Sequence, residues 1–239
     1  KLEDAQKWLN NAIATAPIEV AIVGDIKKED AMKLAATYLG SLASRPKISN
    51  TTLDNLRSIK RPVGPIVADR KFDTSTPVAL ACVGFYGPDP ENIPETRTMQ
   101  AASRIMSTRM TDRVREKEQL AYSPGAGLRP NSEYPGFSVF MAVMPTDPMK
   151  VDRVLELVPQ MFAEFAKDGP TAEEMEKFKK QIANTLDETM KQPPFWVQNT
   201  GTLAYRNRTL DDVMAASDFY QNLTADQIKD VVLYIKSEA

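Results

Sequence analysis

Residues 107–130, S-T-R-M-T-D-R-V-R-E-K-E-Q-L-A-Y-S-P-G-A-G-L-R-P, run from a helix into a strand with no glycine or proline between them. Apolar spacing predicts that the helix lasts from Ser107 to about Glu118 and that the strand begins near Leu120. A side chain in the last turn of a helix and one near the start of the next strand can converge on one edge of a sheet. Arg115 and Tyr122 hold those two positions. Arginine brings a permanent charge and a planar fork of donors, and tyrosine a donor on a stiff aromatic lever, which suits gripping the carbonyl and carboxylate groups of a peptide. A second reading stays open at this point. Arg115 can instead pair with Glu116, Glu118 or Asp112 on a solvated surface, while Tyr122 packs into the core.

Working outward, the strand continues to Leu128, with Gly125 and Gly127 as expected points of bulging or close backbone approach. The link R-P-N-S-E-Y-P-G turns the chain into a further strand, Phe137 to Met144, so the two are expected to pair antiparallel. Upstream, strands are expected at Ile66 to Phe72 and Val78 to Phe85, then a helix from about Glu95 to Met106. Downstream, Val151, Val154, Leu155, Val158, Met161, Phe162 and Phe165 hold a helical period that Gly169 and Pro170 stop. Thr171 with Glu174 forms a capping box for the next helix, and Thr209 with Asp212 and Thr224 with Gln227 open two more. Phe195 to Tyr205, after a double proline, reads as a short helix. The acidic cluster Glu173, Glu174 and Glu176 is a solvated helix start rather than a metal site.

At the other end, residues 2–14 form an amphipathic helix, Ile18 to Val23 a short strand, and Glu29 to Leu39 a second helix closed by Gly40. Strand signals cluster before residue 145 and helices after it. The expected fold is therefore α+β, a mainly antiparallel mixed sheet with helices packed on one face. The expected division is a helix-strand-helix segment over residues 1–45 and an α+β domain over residues 46–239.

Composition narrows the function. A net charge of -2 argues against nucleic-acid or anionic-membrane partners. No apolar run reaches the roughly 18 to 20 residues of a membrane-spanning helix. The single cysteine, Cys82, lies in the apolar run V-A-L-A-C-V and reads as a small core residue, so no intrachain disulfide forms. Histidine is absent, which removes His-ligated zinc and Ser-His or Cys-His dyads from this chain. V-A-I-V-G-D at residues 20–25 followed by a helix has the outline of a nucleotide site, but it lacks both the G-x-G-x-x-G glycines and a P-loop lysine.

The run Arg115, Glu116, Lys117, Glu118, Leu120, Ala121 and Tyr122 resembles the R-E-K-x-x-L-A-Y signature in the C-terminal half of insulinase (pitrilysin) family zinc metallopeptidases. Val20 to Asp25, Val83 to Pro88, and Thr171, Glu173, Glu174 and Met175 resemble further family segments, in family order, so the likeness spans roughly residues 17–190. It implies a LuxS-like metallopeptidase half-domain, the C-terminal inactive half of a two-half clamshell. The other half would carry zinc, which this segment neither holds nor needs as a cofactor of its own. Residues 1–45 would continue a preceding repeat. The resemblance further implies that Arg115 holds substrate backbone or carboxyl groups and that Tyr122 donates toward the scissile carbonyl as the oxyanion donor. The partners so implied are the zinc-bearing N-terminal half, in the same or a partner chain, and a peptide substrate. Alone, the segment is expected to be inactive. By analogy only, a bacterial periplasmic or exported setting fits. A different class of function, a non-catalytic family scaffold or assembly subunit of the kind in mitochondrial processing peptidase and respiratory complexes, is the alternative.

Overall fold

A computed structural model describes residues 1–45, 50–73 and 75–237. The chain forms two compact units, residues 1–56 with 184–216 and residues 57–183 with 217–239.

The second unit is built on a three-stranded antiparallel sheet. Strand β1 (Ala79–Tyr86) pairs with β3 (Val139–Thr146), which pairs in turn with β2 (Gly125–Arg129), giving the order β1-β3-β2. The registers set Cys82 opposite Val143 and Val143 opposite Gly125. Because side chains alternate across a strand, Phe140, Ala142, Met144 and Thr146 point to one face and are buried. Leu80 and Cys82 point to the other and are exposed. Cys82 is therefore not a core residue. The alternation that buries Ala81 turns its neighbour outward, where no second layer covers it among the described residues.

Helices cover the buried face. In the numbering of the whole chain, α4 (Ile93–Met110) packs on β2, and α5 (Val151–Asp168) packs on β1. The last helix, α10 (Ala225–Ser237), packs on both α4 and α5. Met99, Met106, Met110, Leu157, Phe162, Phe165 and Ile228 fill the space between. Phe162 meets Phe85 and Phe140 edge-on, with ring centroids 5.2 and 5.1 Å apart. This is the α+β layer expected, with helices on one face of the sheet.

The helix ends follow their local chemistry. Gly169 closes α5 at φ 71°, a left-handed value that glycine adopts without steric cost. The Thr171 backbone N–H then donates to the Glu174 carboxylate and the Glu174 N–H to the Thr171 hydroxyl, opening α6 (Ala172–Met190). The same reciprocal pair joins Thr209 to Asp212 at α8 (Leu210–Met214) and Thr224 to Gln227 at α10. Between them lies α9 (Ala216–Asn222).

The first unit holds α1 (Leu2–Thr15), α2 (Lys28–Leu39), most of α3 (Asn50–Arg57), the end of α6, α7 (Pro193–Thr200) and α8. The Arg45 guanidinium donates to the carbonyls of Ile13 and Ala16, satisfying groups that the end of α1 leaves free. The Glu19 carboxylate accepts from the N–H groups of Ala204 and Tyr205. The Trp196 indole N–H donates to the Met190 carbonyl, which anchors α7 against the end of α6.

Two expected strands are extended backbone without a ladder. Residues 18–23 and 66–72 make no strand pairing among the described residues. β-Branched residues favour an extended chain, but a strand exists only once a second strand satisfies its backbone groups. Residues 46–49 and 74, parts of the expected links, lie outside the described residues.

Candidate functional site

The helix that delivers Arg115 changes its winding just before the arginine. After Met110 the α-helix gives way to a π-helical segment, Thr111–Lys117, with one buried side chain, Val114. Such segments are rare and concentrate at functional sites. The Glu118 N–H donates back to the Arg113 carbonyl and the Leu120 N–H to the Val114 carbonyl. Gln119 between them takes φ 51°, in the left-handed region. The chain then enters the sheet. Leu120 and Ala121 are buried, the Leu120 carbonyl accepts from the Thr146 hydroxyl at 2.6 Å, and Ala121 bridges Thr146.

Tyr122 follows directly and is 81% exposed. The Arg115 guanidinium lies over its ring, 4.8 Å from the centroid. The two residues singled out in the sequence are thus brought together. Of the two readings left open, one half of the surface reading also holds, because Arg115 Nε sits 3.2 Å from a Glu116 carboxylate oxygen. The core reading of Tyr122 does not hold. Leu120 and Ala121 are both buried, and Tyr122, at a bend just past the Ala121 bridge, turns the phenol out.

Beside Tyr122 the strand is bare. Gly125 and Gly127 pair with Val143 and Met141 on the open side of the sheet, and a Cβ added to either glycine would meet nothing within 4 Å. The expected close backbone approach is absent at these glycines, while the expected bulge lies just before Gly125, where four steps from Ala121 face three from Thr146 to Val143. The glycines leave the backbone surface of this strand unobstructed, three residues on from Tyr122 in the chain. The outward edge of β2 is closed at Ala126, whose N–H donates to the Ser107 hydroxyl while that hydroxyl donates to its carbonyl.

Several other charges near the segment are bound in pairs. The Arg113 guanidinium donates to Glu164 at 2.6 Å, and Arg153 meets both Glu118 carboxylate oxygens at 3.2 Å. The hydrogen bond to Glu118 raises the Arg153 guanidinium above its ordinary value. The Lys150 ammonium donates to the Gln119 carbonyl at 2.8 Å. Sequence reading did not find Lys150 or Arg153, which sit 31 to 35 positions away from their partners and carry no local signal.

At the head of the segment, Arg109 Nε and Nη2 donate to the two Glu174 oxygens at 2.6 and 2.7 Å, and Nη2 also reaches the Gly169 carbonyl. The Arg109 guanidinium stacks over Phe165, 4.7 Å from the ring centroid. Burial alone would raise the Glu174 carboxyl, but the Arg109 fork and the Thr171 N–H outweigh it and hold the group below its ordinary value. The acid read as a solvated helix start is thus the anchor of a clamp on the helix leading to Arg115.

The described residues do not fit a zinc site. The chain contains no histidine, and the described residues include no group of three or more metal-ligating side chains.

Comparison with known proteins places the fold. The chain superposes on the peptidase M16 inactive domain from Pseudomonas fluorescens with a TM-score of 0.72 and 23% identity, over 89% of this chain and 49% of that one. A protease from Helicobacter pylori gives 0.69 at 13% identity, over 90% and 52%. The ferredoxin protease FusC, in complex with Arabidopsis ferredoxin, gives 0.65 at 13% identity, over 89% and 23%. The chain spans about half the length of the first two. No curated protein matches it. The model of the peptidase M16 inactive domain matches residues 1–182, Arg115 and Tyr122 included, and the chain belongs to the M16 (insulinase, pitrilysin) peptidase family as an inactive domain.

Proposed function

We propose that this domain completes the peptide-binding chamber of a metallo-endopeptidase, with Arg115 and Tyr122 as its contribution to the substrate. The observation that carries the reading is the exposed phenol under the Arg115 guanidinium, three residues ahead of a strand left bare by its glycines. An extended peptide laid along such a surface meets no side chain at Gly125 or Gly127. Arg115 offers donors beyond the one engaged with Glu116, suited to a backbone carbonyl or a carboxylate. The Tyr122 hydroxyl can donate to a carbonyl oxygen as negative charge builds on it. A polypeptide ligand is also in keeping with FusC, a relative in fold held in complex with a protein. Zinc chemistry belongs, on this proposal, to a partner half in the same or another chain, and residues 1–45 continue a preceding repeat ahead of the 46–239 domain. Bacterial relatives in fold named as proteases favour this over a scaffold.

The test is turnover in the full-length protein joined to its zinc-bearing half. Arg115→Ala and Tyr122→Phe are each expected to lower kcat/KM by about tenfold to a thousandfold, the range for losing one oxyanion or substrate donor. Unchanged turnover in both variants would assign the domain to scaffolding instead. Cleavage of peptides by these residues alone, sensitive to a chelator, would also contradict the proposal.

A further inference from the structure

The turn between Arg115 and Tyr122 contains two choices that local physics disfavours. Gln119 occupies the left-handed region at φ 51°, where a residue with a Cβ is strained and glycine is not. Facing it, Lys150 and Arg153 stand at the start of α5, the end of a helix where its dipole disfavours cations. Departures of this kind from local preference gather where the chain must hold a particular geometry. Here they meet each other. The Lys150 ammonium takes the Gln119 carbonyl, and the Arg153 guanidinium takes the Glu118 carboxylate.

What the turn holds is the exit from the π-helical segment. Glu118 and Leu120 close back onto Arg113 and Val114, and Leu120 is tied to Thr146. Between these fixed points Gln119 alone decides how the Arg115 face of the helix is oriented toward the strand that carries Tyr122. We infer that Lys150 and Arg153 are positioning residues for the Arg115–Tyr122 pair, latching the left-handed turn that brings guanidinium and phenol together. For its bearing on turnover this rests on the proposed function of that pair. Its geometric content stands separately.

The test uses the full-length protein. The variants are Lys150→Met with Arg153→Met, which keeps the apolar stems, and the conservative Arg153→Lys. One readout needs no activity: the separation of the Arg115 guanidinium from the Tyr122 ring centroid, 4.8 Å in the wild type, in crystal structures of the variants. The second is kcat and KM on a short quenched fluorescent peptide. In the double variant the guanidinium is expected to leave the ring by about 1 Å or more and kcat to fall roughly tenfold with little change in KM, within the loss that about 1 Å of misplacement can cause. Arg153→Lys should stay near wild type in both. A double variant that melts earlier but keeps the wild-type separation overturns the inference, because the contacts are then only stabilising. So does wild-type kcat in the double variant where Arg115→Ala and Tyr122→Phe lose turnover. If those two variants keep full turnover, the proposed function falls, while a lengthened separation in the double variant still supports the latch.

Discussion

The two units are made from similar helices and differ in what those helices bury. In residues 57–183 and 217–239, α4 and α5 turn a continuous apolar face onto the sheet, and Met99, Met106, Met110, Leu157 and Phe165 are lost to solvent. In residues 1–56 and 184–216, α1 and α2 have the same amphipathic spacing and bury no residue. Trp8 is 71% exposed, and Ile18, Val20 and Ile22 stand out from an extended segment that pairs with nothing described. The difference shows that periodicity is enough to make an element but not a core. A core needs a second layer opposite the apolar face, and that comes from distant sequence.

The largest test of this contrast is a truncation in the unit with the layer. Phe162 is 2% exposed and lies against Phe85 and Phe140. Phe162→Ala is expected to cost about 3–5 kcal/mol, read as a lower urea midpoint at unchanged slope. A cost below about 1 kcal/mol would mean that the rings do not form the centre of that core.

A smaller effect is expected at the Arg109–Glu174 clamp, which joins α4 to the start of α6. Arg109→Ala removes the donor to the Gly169 carbonyl and leaves the Glu174 carboxylate with the Thr171 N–H but no counter-charge, at a cost of roughly 1–3 kcal/mol. The same clamp predicts a pH dependence. The folded Glu174 value is below the unfolded one, so its contribution is fully present above the unfolded value of about 4.5 and declines as pH falls through the lower, folded one. Acid unfolding monitored by circular dichroism should therefore begin at higher pH in the wild type than a Glu174→Gln variant's own acid transition would suggest from its neutral-pH stability. Parallel loss in both proteins below pH of about 4.5 would remove Glu174 from the account.

What could be read in the sequence follows how far each contact reaches. The capping pairs Thr171 with Glu174, Thr209 with Asp212 and Thr224 with Gln227 act across three residues and were legible at sight. The pairing of the strands around Leu128 and Phe140 was legible through the turn that joins them. Arg115 and Tyr122 lie seven positions apart, so a helix end and a strand start were enough to bring them together. The π-helical winding of Thr111–Lys117 was not legible, since the segment has no glycine or proline to interrupt an ordinary α-helix. It accompanies the inward seat of Val114 and the left-handed turn at Gln119. Nor were Lys150 and Arg153, whose partners lie on the other side of a hairpin. Cys82 was misplaced for a third reason. An apolar run reads as buried on both sides, while the sheet has helices on one.

The smallest expected effect bears most directly on the contrast between units. Trp8 projects from a helix with no buried residue, so Trp8→Ala should change stability by less than about 0.5 kcal/mol, the range for surface positions. The companion measurement is emission from a Trp196→Phe variant, which leaves Trp8 as the sole tryptophan. Its emission should match that of free tryptophan and be quenched by acrylamide nearly as readily. A blue-shifted, protected Trp8 together with a loss of more than about 2 kcal/mol on truncation would show that its face is covered in solution. The two units would then differ in what covers them and not in whether their apolar faces are buried.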